Sequence, residues 1–212
     1  KCSQLEGGNK MSELQGIIGF EGQAINAWMV WFIPFIGASL IPALAKVGKR
    51  VRNYAAIGFA LASAISAATL LPLAIDGGQI HSQINWIPIL NIKAGVLVDS
   101  LSIFMANIVA WISLLIFIYS LGYMHGDRDL TRYWFLMLFF IGSMQLIVFS
   151  DNFLMLFFGW EAVGFASFAL ISFWYHDRKK DFVGTQGHYA GGIQMWATPS
   201  HAGLKAFLMT KA

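Results

Sequence analysis

Five long stretches of this chain carry at most one charged side chain each, and nothing else constrains its fold as strongly. They cover 22–45, 53–75, 100–124, 133–150 and 152–175. A helix rises ~1.5 Å per residue and the hydrocarbon core of a bilayer is ~30 Å thick, so about 20 apolar residues cross it. Lipid offers no partner for an exposed backbone amide, which leaves helices as the simplest spanning form. The pattern predicts an all-α fold: a polytopic membrane helix bundle with five full transmembrane helices and the start of a sixth. Composition agrees, with 57% apolar and 12% charged residues against ~25% charged in soluble domains.

This organisation divides the chain into a polar leader and N-terminal segment (1–21), the five helices (22–175), a polar loop (176–199) and the start of the sixth helix (200–212). Residues 1–10 precede Met11 and are expected to be sequence upstream of the true start. The leader has no apolar core of the kind a signal peptide needs, so the first helix is expected to insert and stay. Asp151 and Asn152 leave room only for a tight turn between the fourth and fifth helices, with Asp151 placed to cap the fifth. Ser200 is placed to cap the sixth.

Loop charges set the orientation. With the Lys46–Arg52 loop on the cytoplasmic side, Arg128, Arg132, Arg178, Lys179 and Lys180 fall there as well. Lys93, Lys1 and Lys10 then lie outside, which is the bias that positive residues show. The chain is expected to be a multi-pass protein of the cell (inner) membrane, with its N-terminus outside and the 176–199 loop cytoplasmic. No basic stripe interleaved with aromatics suggests nucleic acid.

Within the fifth stretch stands FGWEAVGF, whose Glu161 is the sole charged residue between Asp151 and Asp177. An ionised carboxylate near the middle of a membrane helix costs at least roughly 2.5–3.5 kcal/mol. About ten residues of helix, ~15 Å, separate Glu161 from the interface, too far for its side chain to reach water. The acid is therefore protonated, paired with a cation, or facing internal water. Each state makes it a candidate for reversible proton binding; the plainer alternative is a neutral Glu bonded to a neighbouring helix. Gly159 and Gly164 remove bulk beside it and let other helices approach. Phe157, Phe158 and Phe165 share its face, where ordinary packing accounts for them singly. In the last segment, His201 and Lys205 share a helix face and Lys211 follows, so the three form a possible polar path from the cytoplasm. Lys205 is equally well placed as an interfacial anchor.

Other chemistry finds no carrier. His81, His125, His176 and His188 fall in loops or at helix ends, and His201 has no partner at matching depth for a haem. Cys2 is the lone cysteine, and no HExxH, CxxC, P-loop or GxGxxG occurs. No cofactor or metal site is expected in this chain.

The blocks LVDSLSIFM (97–105), YSLGYM (119–124), FSDNFLMLFFGWEAVGFASFALISFWY (149–175) and HAGLKAFLMTKA (201–212) resemble the N-terminal third of one protein family. It is the large antiporter-like, proton-pumping subunit of respiratory complex I, known as subunit L in bacteria and subunit 5 in mitochondria. The large subunit of multi-subunit cation/proton antiporters shares much of the same GWExVG block. The resemblance implies a subunit of an NADH (or other donor)-quinone oxidoreductase, with a proton half-channel in its membrane arm. It puts Glu161 where the family has a glutamate paired with a lysine two helices on, Lys205 in the family's KAF motif, and Lys211 where arginine is common. It also implies that NADH or another donor, FMN, iron–sulfur clusters and quinone belong to partner subunits, and that the chain itself carries no redox site. The partners implied are other membrane-arm subunits and the lipid bilayer. Without the distant lysine, this polypeptide alone is expected not to translocate protons. Two alternatives remain: part of a cation/proton antiporter without redox coupling, and a non-transporting membrane scaffold.

Overall fold

The structure is a computed structural model. It describes residues 2–90, 92–175, 189–190, 193–194 and 199–211, with side-chain surroundings for 22–89, 92–175 and 199–210. The elements run α1 (Cys2–Val47), α2 (Lys49–Ala68), α3 (Leu71–Ile75), β1 (Ile80–Ile87), a 3-10 turn (Pro88–Leu90), β2 (Ile92–Val98), α4 (Ser100–Tyr123), α5 (Leu130–Phe149), α6 (Phe153–Ile171), β3 (Tyr189–Ala190), β4 (Ile193–Gln194) and α7 (Pro199–Lys211). Five helical stretches are long and apolar enough to cross a membrane: Gly22–Val47, Lys49–Ile75, Ser100–Tyr123, Leu130–Phe149 and Phe153–Ile171. The all-α membrane bundle expected from the hydropathy pattern is what the chain forms. The helix of the first span extends back through the polar leader as far as Cys2.

α1 and α2 meet through small residues. Ala56, Ala60, Ser63, Ala64 and Ala67 of α2 are buried, at the three- and four-residue spacing of one helix face. Such a stripe lets backbones approach closely in a bilayer, where packing rather than water drives association. Ser63 Oγ donates to Val30 O at 2.7 Å. The expected second helix is broken in two, because Pro72 supplies no amide hydrogen to continue the ladder. Gly77, at φ 66°, follows the short α3 in the left-handed conformation that glycine adopts without steric cost.

Sequence patterning did not foresee the antiparallel hairpin of β1 and β2, in which Ile80 pairs with Val98 and Gln83 with Gly95. An isolated bridge between Val96 and Ser150 brings the α5–α6 turn alongside β2.

Asp99 starts α4 with a capping box. Its carboxylate accepts from Ser102 N (2.7 Å) while Ser102 Oγ accepts from Asp99 N (2.8 Å). The Ser102 amide, foremost among the hydrogen bonds there, holds the Asp99 carboxyl below its ordinary value against the opposing effect of burial. Asp99→Ala is expected to cost about 1 kcal/mol, read as a lower thermal midpoint of the subunit in detergent. Because the folded value is depressed, the wild-type advantage is complete above the ordinary carboxylate range and disappears as pH falls through the lowered value.

Two expected caps are corrected. Asn152, not Asp151, caps α6, its Oδ1 accepting from Met155 N at 2.9 Å, because the Asp151 carboxylate is turned toward the hairpin. α7 opens at Pro199, which puts Ser200 inside its first turn; proline suits that position because the amide it lacks would have no helical partner. The 176–199 loop, with Arg178, Lys179 and Lys180, lies largely outside the described residues.

Candidate functional site

α6 positions the candidate acid. Met155, Gly159, Ala166 and Ala169 are its buried residues, and they fall on one strip. Gly159 seats that strip on α5: a Cβ there would come within 2.7 Å of Ile147 Cγ1 and 3.3 Å of Ser143 O. Two further contacts join the helices, the Phe139–Phe165 ring pair at 6.1 Å and Arg132 Nη2 donating to Ala169 O at 3.4 Å. Glu161 lies about 120° around α6 from this strip. It is half-buried, near the middle of a 19-residue helix.

The three phenylalanines that share the Glu161 face have different surroundings. Phe158 is drawn to Trp86 of the hairpin (5.4 Å), and Phe165 leans on α5. Phe157 is 46% exposed. α7 packs beside α6 through Phe168 and Phe207 (5.4 Å), so the helices carrying Glu161 and Lys205 are neighbours. A cavity of about 200 Å³ between them is lined by mostly apolar residues and two hydroxyls, among them Trp160, Gly164, Ser167, Phe207 and Thr210. Lys205 and His201 are exposed on α7 and do not line it. The Lys211 side chain lies outside the described residues. Among the described residues, no three His, Cys, Asp or Glu side chains gather as metal ligands would.

Sequence reasoning missed several buried polar groups. Asn107 Nδ2 donates to Ala67 O (3.0 Å) and Ile103 O (2.9 Å), tying α4 to α2. Gln145 Nε2 donates to Ala106 O (2.9 Å), tying α5 to α4. Uncharged amides pass unnoticed in a count of charges, yet an Asn or Gln within an apolar run is itself a signal of an interhelical bond. Arg52, expected as a cytoplasmic loop charge, is instead buried in α2. α2 begins before the uncharged run does, and Arg52 donates to Thr131 Oγ1 (2.9 Å) and, through Nε and Nη2, to Asn53 Oδ1 (3.0 and 2.9 Å).

A second ionisable cluster lies where α6 begins. Asp151, its side chain 2% exposed, accepts from His81 Nε2 at 2.9 Å and from Gln83 Nε2 at 2.7 Å. Burial pushes the Asp151 carboxyl up, but the His81, Gln83 and Asn152 hydrogen bonds and the His81 charge outweigh it, leaving the carboxyl below its ordinary value. The contribution of this ion is thus complete above the ordinary carboxylate range and is lost as pH falls through the lowered folded value. Protection of the Asp151 amide, which donates to Gly95 O at 3.3 Å, measured as its hydrogen exchange relative to the intrinsic rate at each pH, is expected to fall only in that acid range. Loss of protection already between pH 5 and 7 would contradict the assignment.

A bundle of membrane helices with a half-buried acid at the centre of one of them defines the class: a polytopic membrane protein with a candidate ion-handling carboxylate. The model of the N-terminus of chain 5 of NADH-ubiquinone oxidoreductase (complex I) matches residues 86–134. NADH-quinone oxidoreductase subunit L of Rickettsia conorii is 38% identical over 136 residues, 62% of this chain and 21% of that protein. Its counterpart in Mycobacterium tuberculosis is 35% identical over 197 residues, 85% of this chain and 31% of that protein. The Na(+)/H(+) antiporter subunit A1 of Staphylococcus aureus is 30% identical over 155 residues, 73% of this chain and 19% of that protein. Among solved structures, the Mrp complex of Dietzia sp. DQ12-45-1b aligns with a TM-score of 0.58 and 25% identity over 68% of this chain and 16% of that one. A chain of the membrane-bound sulfane sulfur reductase, an archaeal respiratory membrane complex, shares the fold at a TM-score of 0.67 with 14% identity, over 87% of this chain and 34% of that one. The chain is similar to the N-terminal part of the large antiporter-like subunit of complex I and of an antiporter relative. It spans between about a fifth and a third of the length of the subunit L proteins cited.

Proposed function

We propose that this chain supplies the first part of a proton half-channel in an antiporter-like subunit of a complex-I-type enzyme, with Glu161 as the group that binds and releases the proton. The observation that carries the reading is Glu161 itself: an acid near the middle of a membrane helix, half-buried, two residues beyond the glycine seat on α5. An acid is costly at that depth, and acids retained there commonly mark ion pathways. The family resemblance pairs it with a lysine beyond residue 212, whose positive charge would favour the ionised acid and whose movement would release the proton. Lys205, Lys211 and His201 would continue a polar path toward the cytoplasm, the side to which the positive-residue bias assigns the 176–199 loop, with the N-terminus outside. The cell (inner) membrane is the proposed location. Electron donor, FMN, iron–sulfur clusters and quinone would be held by partner subunits, and the bilayer and other membrane-arm subunits would surround this one.

The likeness to Na(+)/H(+) antiporter subunit A1 favours one second reading, cation/proton exchange without redox coupling. Vesicles bearing the full-length subunit in its complex separate the two. Donor-driven acidification that persists without sodium and depends on Glu161 supports the first; exchange that needs sodium and no donor supports the second. Unchanged proton movement in Glu161→Gln overturns both assignments of this residue and returns the chain to a scaffold.

A further inference from the structure

The α5–α6 turn is fastened to the hairpin through a gap that a glycine leaves open. Gln83 of β1 pairs with Gly95 of β2, and the Val96–Ser150 bridge sets Asp151 beside Gly95 as if on a third strand. Residues opposite one another across a sheet present side chains to the same face. Gly95 presents none, so the Asp151 carboxylate passes over it to reach β1. A Cβ at Gly95 would overlap the Asp151 carboxylate and lie 2.8 Å from Gln83 Cγ.

The bonds then run without a break into α6. Oδ2 of Asp151 accepts from Gln83 Nε2 (2.7 Å) and His81 Nε2 (2.9 Å), and Oδ1 accepts from Asn152 Nδ2 (2.6 Å). Gln83 Nε2 also lies 2.9 Å from His81 Nε2, so the three polar atoms converge on one point. Asn152 Nδ2 also donates to Lys93 O (2.9 Å), and its Oδ1 caps Met155 N (2.9 Å). Lys93 also lines the groove formed by Gln83, Asp151 and Asn152, and among the described residues it and Asp151 are the charged groups there. From the capped end, α6 runs as one helix to Glu161, ~12 Å beyond Phe153, and is seated on α5 at Gly159 on the way.

We propose that Asp151, held across Gly95 by His81 and Gln83, is a positioning residue that sets the height and rotation of α6 and thereby the place of the Glu161 carboxyl. This rests on the reading of Glu161 as the proton carrier. Functional side chains hold their geometry only when the element that bears them is itself fixed by supporting bonds. Beyond the Gly159 seat, the Phe139–Phe165 ring pair and the Arg132–Ala169 hydrogen bond, α6 is fastened at its first turn, and that fastening is made almost wholly by Asp151 and its neighbour.

The test uses the full-length subunit in its assembled complex, with Gly95→Ala, Asp151→Ser, the double variant and His81→Ala. Two quantities are read: protons moved per donor oxidised, and the rate at which a hydrophobic carbodiimide modifies Glu161, followed by peptide mass spectrometry. Gly95→Ala and Asp151→Ser are each expected to change the modification rate by roughly two-fold or more, the lower end of what coupled residues show, and to lower the proton yield. In the double variant, Gly95→Ala adds nothing to Asp151→Ser. An unchanged modification rate in Asp151→Ser, or additive effects in the double variant, would overturn the proposal. If those variants do not assemble, His81→Ala decides: its side chain is half-exposed, and it should shift the rate in the same direction by less, whereas no shift overturns the link. Normal pumping in Glu161→Gln would remove the functional reading, while the modification rate would still judge whether Asp151 positions that side chain.

Discussion

Glu161→Gln in the full-length subunit is expected to leave the complex assembled and its donor oxidised, and to remove this subunit's share of proton movement. Glutamine has nearly the same shape as a glutamic acid and can hydrogen-bond similar neighbours, so the packing of α6 on α5 through Gly159 and Phe165 is untouched. It cannot lose a proton in the range where proteins work. A positioned proton-transferring group contributes about a hundred-fold or more to such steps, and a loss of that order is expected in the flux proposed for this subunit. Glu161→Asp separates chemistry from placement: it keeps an acid but withdraws it by one methylene, and intermediate flux is expected. Lumen acidification per donor oxidised, measured in vesicles, is the readout. Glutamine and wild type giving equal yields would mean that Glu161 is only a packing residue.

Trp134→Ala is expected to be the most damaging of the core truncations. Trp134 is fully buried, its ring 5.1 Å from Phe117 and 5.3 Å from Tyr133. Its Nε1 donates to Asn53 Oδ1 at 3.0 Å, the same oxygen that Arg52 engages. Removing the indole opens a cavity where α2, α4 and α5 meet, at a typical cost of about 3–5 kcal/mol. Lipid is a gentler alternative environment than water, which trims the transfer part of that cost, but the lost packing remains. Trp134→Phe keeps much of the volume and loses chiefly the hydrogen bond, so a cost nearer 1 kcal/mol is expected. Thermal unfolding of the purified subunit in detergent ranks the two. Equal midpoints for Ala and wild type would show that the junction is far looser than its geometry implies.

The membrane spans were legible because their signal is a sum: some twenty apolar residues in a row leave few other options. Glu161 was legible for the inverse reason, as one costly residue against a uniform background. The hairpin was not, because Ile80–Ile87 and Ile92–Val98 are short, mixed in polarity and lie in a stretch read as a loop between helices. The Asp151 bonds depend on it, so the same blind spot misassigned the cap of α6: an Asp and an Asn side by side are equivalent until the first has somewhere else to point. Arg52 shows a related limit. A cation at the edge of an apolar run reads as a loop charge, and only when α5 brings Thr131 alongside does Arg52, already bonded to the adjacent Asn53, turn inward. Gly95 carries no sequence signal at all, since its role is the space it leaves for a side chain more than fifty residues away.

The brevity of the α5–α6 turn bears on how the chain enters its membrane. With only Ser150, Asp151 and Asn152 between them, neither helix can complete its insertion far ahead of the other during translation. Each Leu, Ile, Phe or Val near the centre of a span favours partition from the translocon by about 0.3–0.6 kcal/mol. The many such residues in α5, Leu136, Leu138, Phe139 and Ile141 among them, therefore offset the penalty of an acid in the next helix. The pair can cross as one unit even though Glu161 burdens its second half, and biogenesis need not wait for the acid to find its final partner.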